Sequence, residues 1–295
     1  MRSSDRSHPV RARTFSIPTR CGAVVVTDVG GSGFPLLLIH GSSYSARVFE
    51  KQFDSELARH WRLIAVDLPG HGRSEDAADP QSGYTVSGLA DCLAEVLRRC
   101  RLSRVVVYGW SLGGHVAIEL LARNAAIAGL VCGGAPPVQG GFLGMLKGFS
   151  PSFDLLLASK QTFTPRDAER FERLCFGRRS DGRFRDDILR SDGRMRAIFT
   201  QSMMRGDGTD QRRAIETAEV PVAFVNGADE PFVRLGYFDG LSVPMLHGGE
   251  PQLIEGAGHA PFWEQPEAFN AFVDRFMLSV MENEVRRKKR RVARA

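Results

Sequence analysis

Apolar residues in this chain gather into short unbroken runs with helix-like spacings between them. Pro35-Leu36-Leu37-Leu38-Ile39, Arg62-Leu63-Ile64-Ala65-Val66, Arg104-Val105-Val106-Val107-Tyr108 and Ile127 to Val131 are of strand length and lack polar alternation. That is the pattern of strands buried on both faces of a parallel sheet. Val86, Leu89, Ala90, Leu93, Val96 and Leu97 recur at helical spacing within 86–100, and helices are also predicted around 45–59 and from Leu112 to about Arg123. Two late runs, Pro221-Val222-Ala223-Phe224-Val225 and Gln252-Leu253-Ile254, precede a predicted helix over about 266–281. Strands alternating with helices predict an α/β fold, a mostly parallel central sheet covered by helices through right-handed crossovers. Upstream, residues 13–28 read as a hairpin whose second strand contains Val24, Val25 and Val26.

The rhythm breaks after Pro136-Pro137. From 137 to 215 no buried strand is legible, only apolar and basic residues at helical spacings, so this stretch is read as a helical cap inserted into the sheet domain. The expected organisation is a disordered tail at 1–11, a core of 12–136 and 216–283, a cap of 137–215 and a basic tail at 284–295. A chain of 295 residues accommodates one such elaborated domain.

Composition narrows the class. With 43% hydrophobic and 25% charged residues the chain can bury a sizeable core. The net charge of +5 misleads, because seven positive charges fall within residues 286–295 and a net four more within 1–20, which leaves 21–284 at −6. The terminal basic run is read as a solvated tail rather than a nucleic-acid or membrane site. The five cysteines, Cys21, Cys92, Cys100, Cys132 and Cys175, are scattered without CxxC or CxH spacing, so neither a disulfide framework nor a zinc site is expected. The N-terminus lacks an apolar signal region and no run of 18 apolar residues occurs, which predicts a soluble, cytoplasmic protein without membrane attachment.

Gly109-Trp110-Ser111-Leu112-Gly113 matches G-x-S-x-G between a predicted strand and a predicted helix. A serine on such a tight turn is lifted above the sheet edge, and the flanking glycines let strand and helix approach without Cβ clashes. Ser111 is therefore the candidate nucleophile. The Leu112 amide, at a helix N-terminus, can face an oxyanion. The second oxyanion donor is expected after the first long strand, in His40-Gly41-Ser42-Ser43, with the Ser42 amide preferred and Ser43 behind it. In the chain order Ser, acid, His, most of the seven histidines come too early, and His115 reads as structural on the nucleophile's own helix. His247 competes late, but His259 follows the last strand by five residues in a glycine-rich loop and is the candidate base. Its carboxylate partner is Asp229 or Glu230, in the loop after strand 221–225.

Pocket-lining candidates are Gly41, Tyr44, Trp110 and Phe171, with Phe142, Phe149 and Phe163 behind them. No cofactor is expected. The metal-lactonase pattern HxHxDH is absent, no histidine-carboxylate cluster has ligand spacing, and Gly31-Ser32-Gly33 lacks the lysine of a phosphate loop.

The strings HGSS, VDLPGHGRS, GWSLGG, NGADEPFV and GAGHAPFWEQPEAF together resemble the α/β-hydrolase superfamily over nearly all of residues 22–280. More narrowly, YGWSLGGHVAIELLAR, APPV, RSDGRMRAIF, VNGADEPFV and GAGHAPF are similar to the metal-independent N-acyl-homoserine lactonases of that superfamily, and this similarity reaches into the cap. The resemblance implies a glutamate acid, and the superfamily's register, three residues after Gly227, selects Glu230 over Asp229. It implies serine-dependent hydrolysis of an ester or lactone, with the lactone ring of N-acyl-homoserine lactones, a quorum signal, as the expected small-molecule substrate. Two departures lie at the substrate: Ser42 stands where that group has asparagine, and Phe171 where it has tyrosine. A general carboxylesterase or another lactonase is the alternative enzyme, and a slow-turnover ligand receptor on the same fold is the alternative of another class.

Overall fold

Residues 12–123, 126–151 and 155–292 are described by a computed structural model; the expected tail at 1–11 lies outside them. The predicted apolar runs become strands. β1 (Arg13–Thr19) and β2 (Gly22–Asp28) form the antiparallel hairpin, in register from Arg13 opposite Asp28 to Thr19 opposite Gly22. β3 (Pro35–Ile39), β4 (Arg62–Val66), β5 (Val105–Trp110), β6 (Ile127–Gly133), β7 (Val222–Gly227) and β8 (Gln252–Ile254) complete an eight-stranded sheet in the order β1-β2-β4-β3-β5-β6-β7-β8. Only the β1–β2 and β2–β4 pairings are antiparallel.

The central strands carry no polar alternation because both of their faces are covered. Leu37, Ile39, Val105 and Val107 pack into one apolar layer with α4 (Val86–Arg99) and α5 (Leu112–Arg123). Leu36, Leu38, Val106 and Tyr108 point the other way, toward Phe269, Phe276 and Val280 of the long last helix. Since strand side chains alternate between faces, a run apolar at every position fits only a strand with two cores.

Two expectations need correction. The helix predicted over 45–59 is three pieces: a 3-10 turn at Ala46–Phe49, then α1 (Glu50–Phe53) and α2 (Glu56–His60). Ser55 causes the break, because its extended backbone and its hydroxyl, which accepts from the Leu57 amide, start a new helix there. A short α3 (Pro80–Gly83) precedes α4.

Between β6 and β7 the described residues form helices: α6 (Phe142–Gly148), α7 (Leu155–Ser159), α8 (Pro165–Phe176), α9 (Arg185–Arg190), α10 (Gly193–Arg205) and α11 (Gln211–Glu216). A capping box of Thr164 and Asp167 starts α8. After β8, α12 (Pro261–Glu264) leads into α13 (Pro266–Val292).

The second correction concerns α13, which overruns its predicted end at 281. Val280 is fully buried, and Glu284 accepts from Arg104 Nε at 2.9 Å, so tertiary contacts carry the helix past its predicted end. The basic run starts on helix, with residues 285–289 exposed. No helix among the described residues is long and apolar enough to cross a membrane.

Candidate active site

The C-terminal ends of the parallel strands β3, β5, β6 and β7 lie side by side along one edge of the sheet, which is where open α/β sheets present their clefts. Ser111 joins β5 to α5 with φ +55°, a left-handed conformation that costs a non-glycine residue about 1–2 kcal/mol. The surrounding packing holds it there. A Cβ on Gly109 would meet the Gly113 carbonyl oxygen at 2.3 Å, and one on Gly113 would meet the carbonyl oxygens of Ile39 and His40 at 2.4 and 2.5 Å. The two motif glycines are thus fixed by backbone-to-backbone approach.

His259 comes over the sheet from the loop after β8. Its Nδ1 lies 2.9 and 2.8 Å from Oε1 and Oε2 of Glu230, whose side chain is wholly buried. Glu230 Oε1 also accepts from the Phe232 amide at 2.9 Å. Asp229 is exposed, and its amide donates to the Ala257 carbonyl. Of the two adjacent carboxylates, the fold brings only Glu230 to the imidazole.

The histidine loop is braced by Glu264, which sequence reasoning missed, and by Trp110, which it placed only in the pocket wall. Glu264 accepts from the amides of Gly258 and Ala260 at 2.9 and 3.3 Å, and burial raises its pKa against those bonds, which favour its charged form. Trp110 Nε1 donates to the His259 carbonyl at 2.7 Å, and the Phe232 ring stands edge-on to the imidazole at 4.7 Å. Below the ring lies Gly134 at φ +62°, where a Cβ would sit 2.5 Å from His259 Cε1. The Gly134 amide donates to Asn226 Oδ1 at 2.8 Å. The string NGADE thus serves twice, Asn226 shaping the floor and Glu230 meeting the His259 imidazole, although no spacing rule flags the asparagine.

The loop after β3 turns at Gly41–Tyr44, closed by the Tyr44 amide on the Gly41 carbonyl at 3.3 Å. Its third residue, Ser43, has φ +69°, in a position where glycine is usual. The Ser43 amide donates to His71 Nε2 at 3.0 Å, and its hydroxyl accepts from Arg196 Nη1 at 2.9 Å. His71 is fully buried, and its pKa is pushed well below the ordinary value by burial and by the neighbouring His40, which leaves a neutral imidazole able to accept. A Cβ on Gly41 would lie 2.9 Å from the Trp110 ring, so the loop packs directly on the indole. The amides of Ser42 and Leu112 donate to no other group among the described residues, and both residues border the cavity that holds Ser111.

That cavity measures about 310 Å³ and is walled mainly by apolar side chains. Ser111 and His259 both open into it, as do Gly41, Tyr44, Trp110 and Phe171. Phe142 and Phe149 also border it, whereas Phe163 stands behind, edge-on to Phe171 at 5.5 Å. Phe171 stacks on Tyr44 at 5.8 Å, presenting a ring and no hydroxyl. His115 borders the cavity but bonds Gln211 Oε1 through Nδ1 at 2.8 Å, and burial pulls its pKa down to about 4. His247 lies elsewhere, against Ser279, Phe272 and Phe276. Among the described residues no group of three or more His, Cys, Asp or Glu is placed to hold a metal ion.

The chain matches the alpha/beta hydrolase family over residues 36–272. It is 31% identical over 256 residues to the pimeloyl-[acyl-carrier protein] methyl ester esterase of Sodalis glossinidius, covering 79% of this chain and 90% of that protein. A crystal structure of a variant of the N-acyl homoserine lactonase AidH, complexed with N-hexanoyl homoserine lactone, superposes with a TM-score of 0.89 at 38% identity, covering 92% of this chain and 99% of that one. The esterase RhEst1 from Rhodococcus sp. ECU1013 superposes with a TM-score of 0.74 at 26% identity, over 91% of this chain and 99% of the other.

Proposed function

The chain belongs to the alpha/beta hydrolase family, and from that premise we propose that it hydrolyses the lactone ring of N-acyl-homoserine lactones through Ser111, His259 and Glu230. The observation that carries this reading is the pairing of the buried Glu230 carboxylate with Nδ1 of an imidazole that shares an apolar cavity with Ser111. Likeness to AidH across 92% of the chain, cap included, directs the choice of substrate.

In this mechanism Glu230 keeps the proton on Nδ1, so Nε2 carries the free electron pair and acts as general base. His259 takes the Ser111 proton as Oγ attacks the lactone carbonyl. The resulting oxyanion is held by the amides of Ser42 and Leu112, donors already oriented before reaction. Collapse breaks the ring C–O bond, and imidazolium returns its proton to the ring oxygen, giving an acyl-enzyme whose homoserine hydroxyl stays tethered. Water, deprotonated by the same imidazole, then attacks the acyl carbon and frees Ser111 and the ring-opened acid. The apolar wall accommodates the acyl chain and excludes water from the developing charge.

A substrate panel with intact-mass detection tests this reading. Acyl-homoserine lactones of several chain lengths should be opened, with a mass adduct at Ser111 under rapid quench. Activity confined to short p-nitrophenyl esters would remove the lactone assignment and leave a carboxylesterase, the second reading, which the 31% identity to a methyl ester esterase favours. Ligand-induced thermal stabilisation with turnover below about one per minute, against ~1–1000 per second for ordinary enzymes, would favour a receptor.

A further inference from the structure

Arg196 on α10 is 2% exposed and borders the same cavity as Ser111. Its guanidinium donates to the carbonyls of Lys160 and Gln161 at 2.6 and 2.8 Å, to Ser191 Oγ at 2.7 Å and to Ser43 Oγ at 2.9 Å, and it lies 4.1 Å above the Phe163 ring. All of these acceptors are neutral, and no carboxylate among the described residues pairs with the charge. Burial pulls its pKa down to about 10, against the smaller opposing effect of the Asp192 charge. A buried cation is normally paired, so this one is held at a cost that tying cap segments together would not require. Three of its four acceptors belong to the cap, and the fourth is Ser43, in the loop that presents the Ser42 amide.

We propose that Arg196 is a positioning residue of the oxyanion hole, clamping the strained Ser43 from the cap so that the adjacent Ser42 amide stays aimed at the carbonyl attacked by Ser111. The inference rests on acyl transfer at Ser111, not on the lactone being its substrate. Ser43 is gripped at both ends, its amide by His71 and its hydroxyl by Arg196. Two residues on, the loop is stitched to the cap again, where Ser45 Oγ donates to Asp187 at 2.9 Å. Seating of the cap and alignment of the oxyanion hole are therefore one event. The planar guanidinium serves acceptors on several segments at once, which a lysine ammonium on a flexible stem does not reproduce. Its charge, buried in the cavity wall and ion-paired with no carboxylate among the described residues, also favours negative charge appearing in the cavity.

The test compares Arg196→Met, Arg196→Lys, Ser43→Ala and the double variant Ser43→Ala/Arg196→Met with wild type. It uses p-nitrophenyl butyrate turnover and the rate at which a fluorophosphonate labels Ser111. Each single variant should lower kcat and the labelling rate together by roughly 10- to 100-fold, with KM within about twofold, since the clamp acts on the transition state. Arg196→Lys should stay near Arg196→Met, and the double variant should lose no more than the worse single one. Folded variants with kcat and labelling unchanged, or losses that multiply in the double variant, overturn the clamp. If Arg196→Met does not fold, Ser43→Ala decides alone, because it removes the acceptor and leaves the cation its three cap partners. A wild type that is labelled yet inactive on esters and lactones would refute the proposed function while the labelling rates still judge the clamp. One that is neither labelled nor active would overturn both.

Discussion

Glu230 and His259, 29 residues apart in sequence, meet with both carboxylate oxygens within 2.9 Å of Nδ1, while Asp229 beside Glu230 is exposed. The distinction between two adjacent acids becomes a matter of which way one loop turns. Glu230→Gln, which forfeits control of the imidazole tautomer, should lower kcat by about 10³–10⁴-fold. Asp229→Asn should stay within about twofold of wild type, and steady-state kinetics on any turned-over ester checks both.

Gly134 supports the imidazole from below, leaving no room for a methyl group and holding φ at +62°. Gly134→Ala should displace the His259 ring and reduce kcat by at least about 100-fold. A crystal structure of the variant with the ring unmoved and activity retained would contradict this.

The cavity reaches the surface beside Phe142, Leu146 and Met204, which are 54%, 45% and 43% exposed. An apolar wall that opens to solvent has no end stop for an acyl chain. kcat/KM should therefore rise by about three- to fourfold per added CH₂, at ~0.8 kcal/mol each, and then level off instead of falling. Leu146→Lys should reduce kcat/KM for decanoyl substrates by about tenfold and leave butanoyl substrates unchanged. A sharp optimum at one short chain length would exclude an open-ended site.

His115 links α5 to Gln211 and is kept neutral by burial, with its pKa drawn from 6.5 to about 4. Between these values the unfolded chain binds more protons than the folded one, so stability rises with pH across pH 4–6.5 and its full contribution is present above 6.5. On acidification this residue should remove on the order of 2–3 kcal/mol. His115→Asn should flatten part of the slope in denaturant unfolding measured from pH 4.5 to 7.5. His40, His71 and His247, shifted in the same direction by burial, keep the rest of the slope.

The two-sided core was legible from sequence because burial on both faces leaves unbroken apolar runs such as Leu36 to Ile39. The strand-to-helix turn at Ser111 was legible because close backbone approach leaves glycines at fixed offsets. The helix over 45–59 was misread because apolar spacing does not register a capping serine in mid-pattern. The end of α13 was misread because Arg104, far away in the chain, holds Glu284 in the helix.

Local chemistry thus determined the sheet, the turn at Ser111 and the late histidine, since each depends on neighbours a few residues away. Tertiary structure alone decided that Glu230 faces the His259 imidazole, that Asn226 and Gly134 make its floor, and that Arg196 reaches from α10 to Ser43. Those choices join residues far apart in sequence, where hydrogen-bond geometry and the desolvation of charge select partners that no spacing encodes.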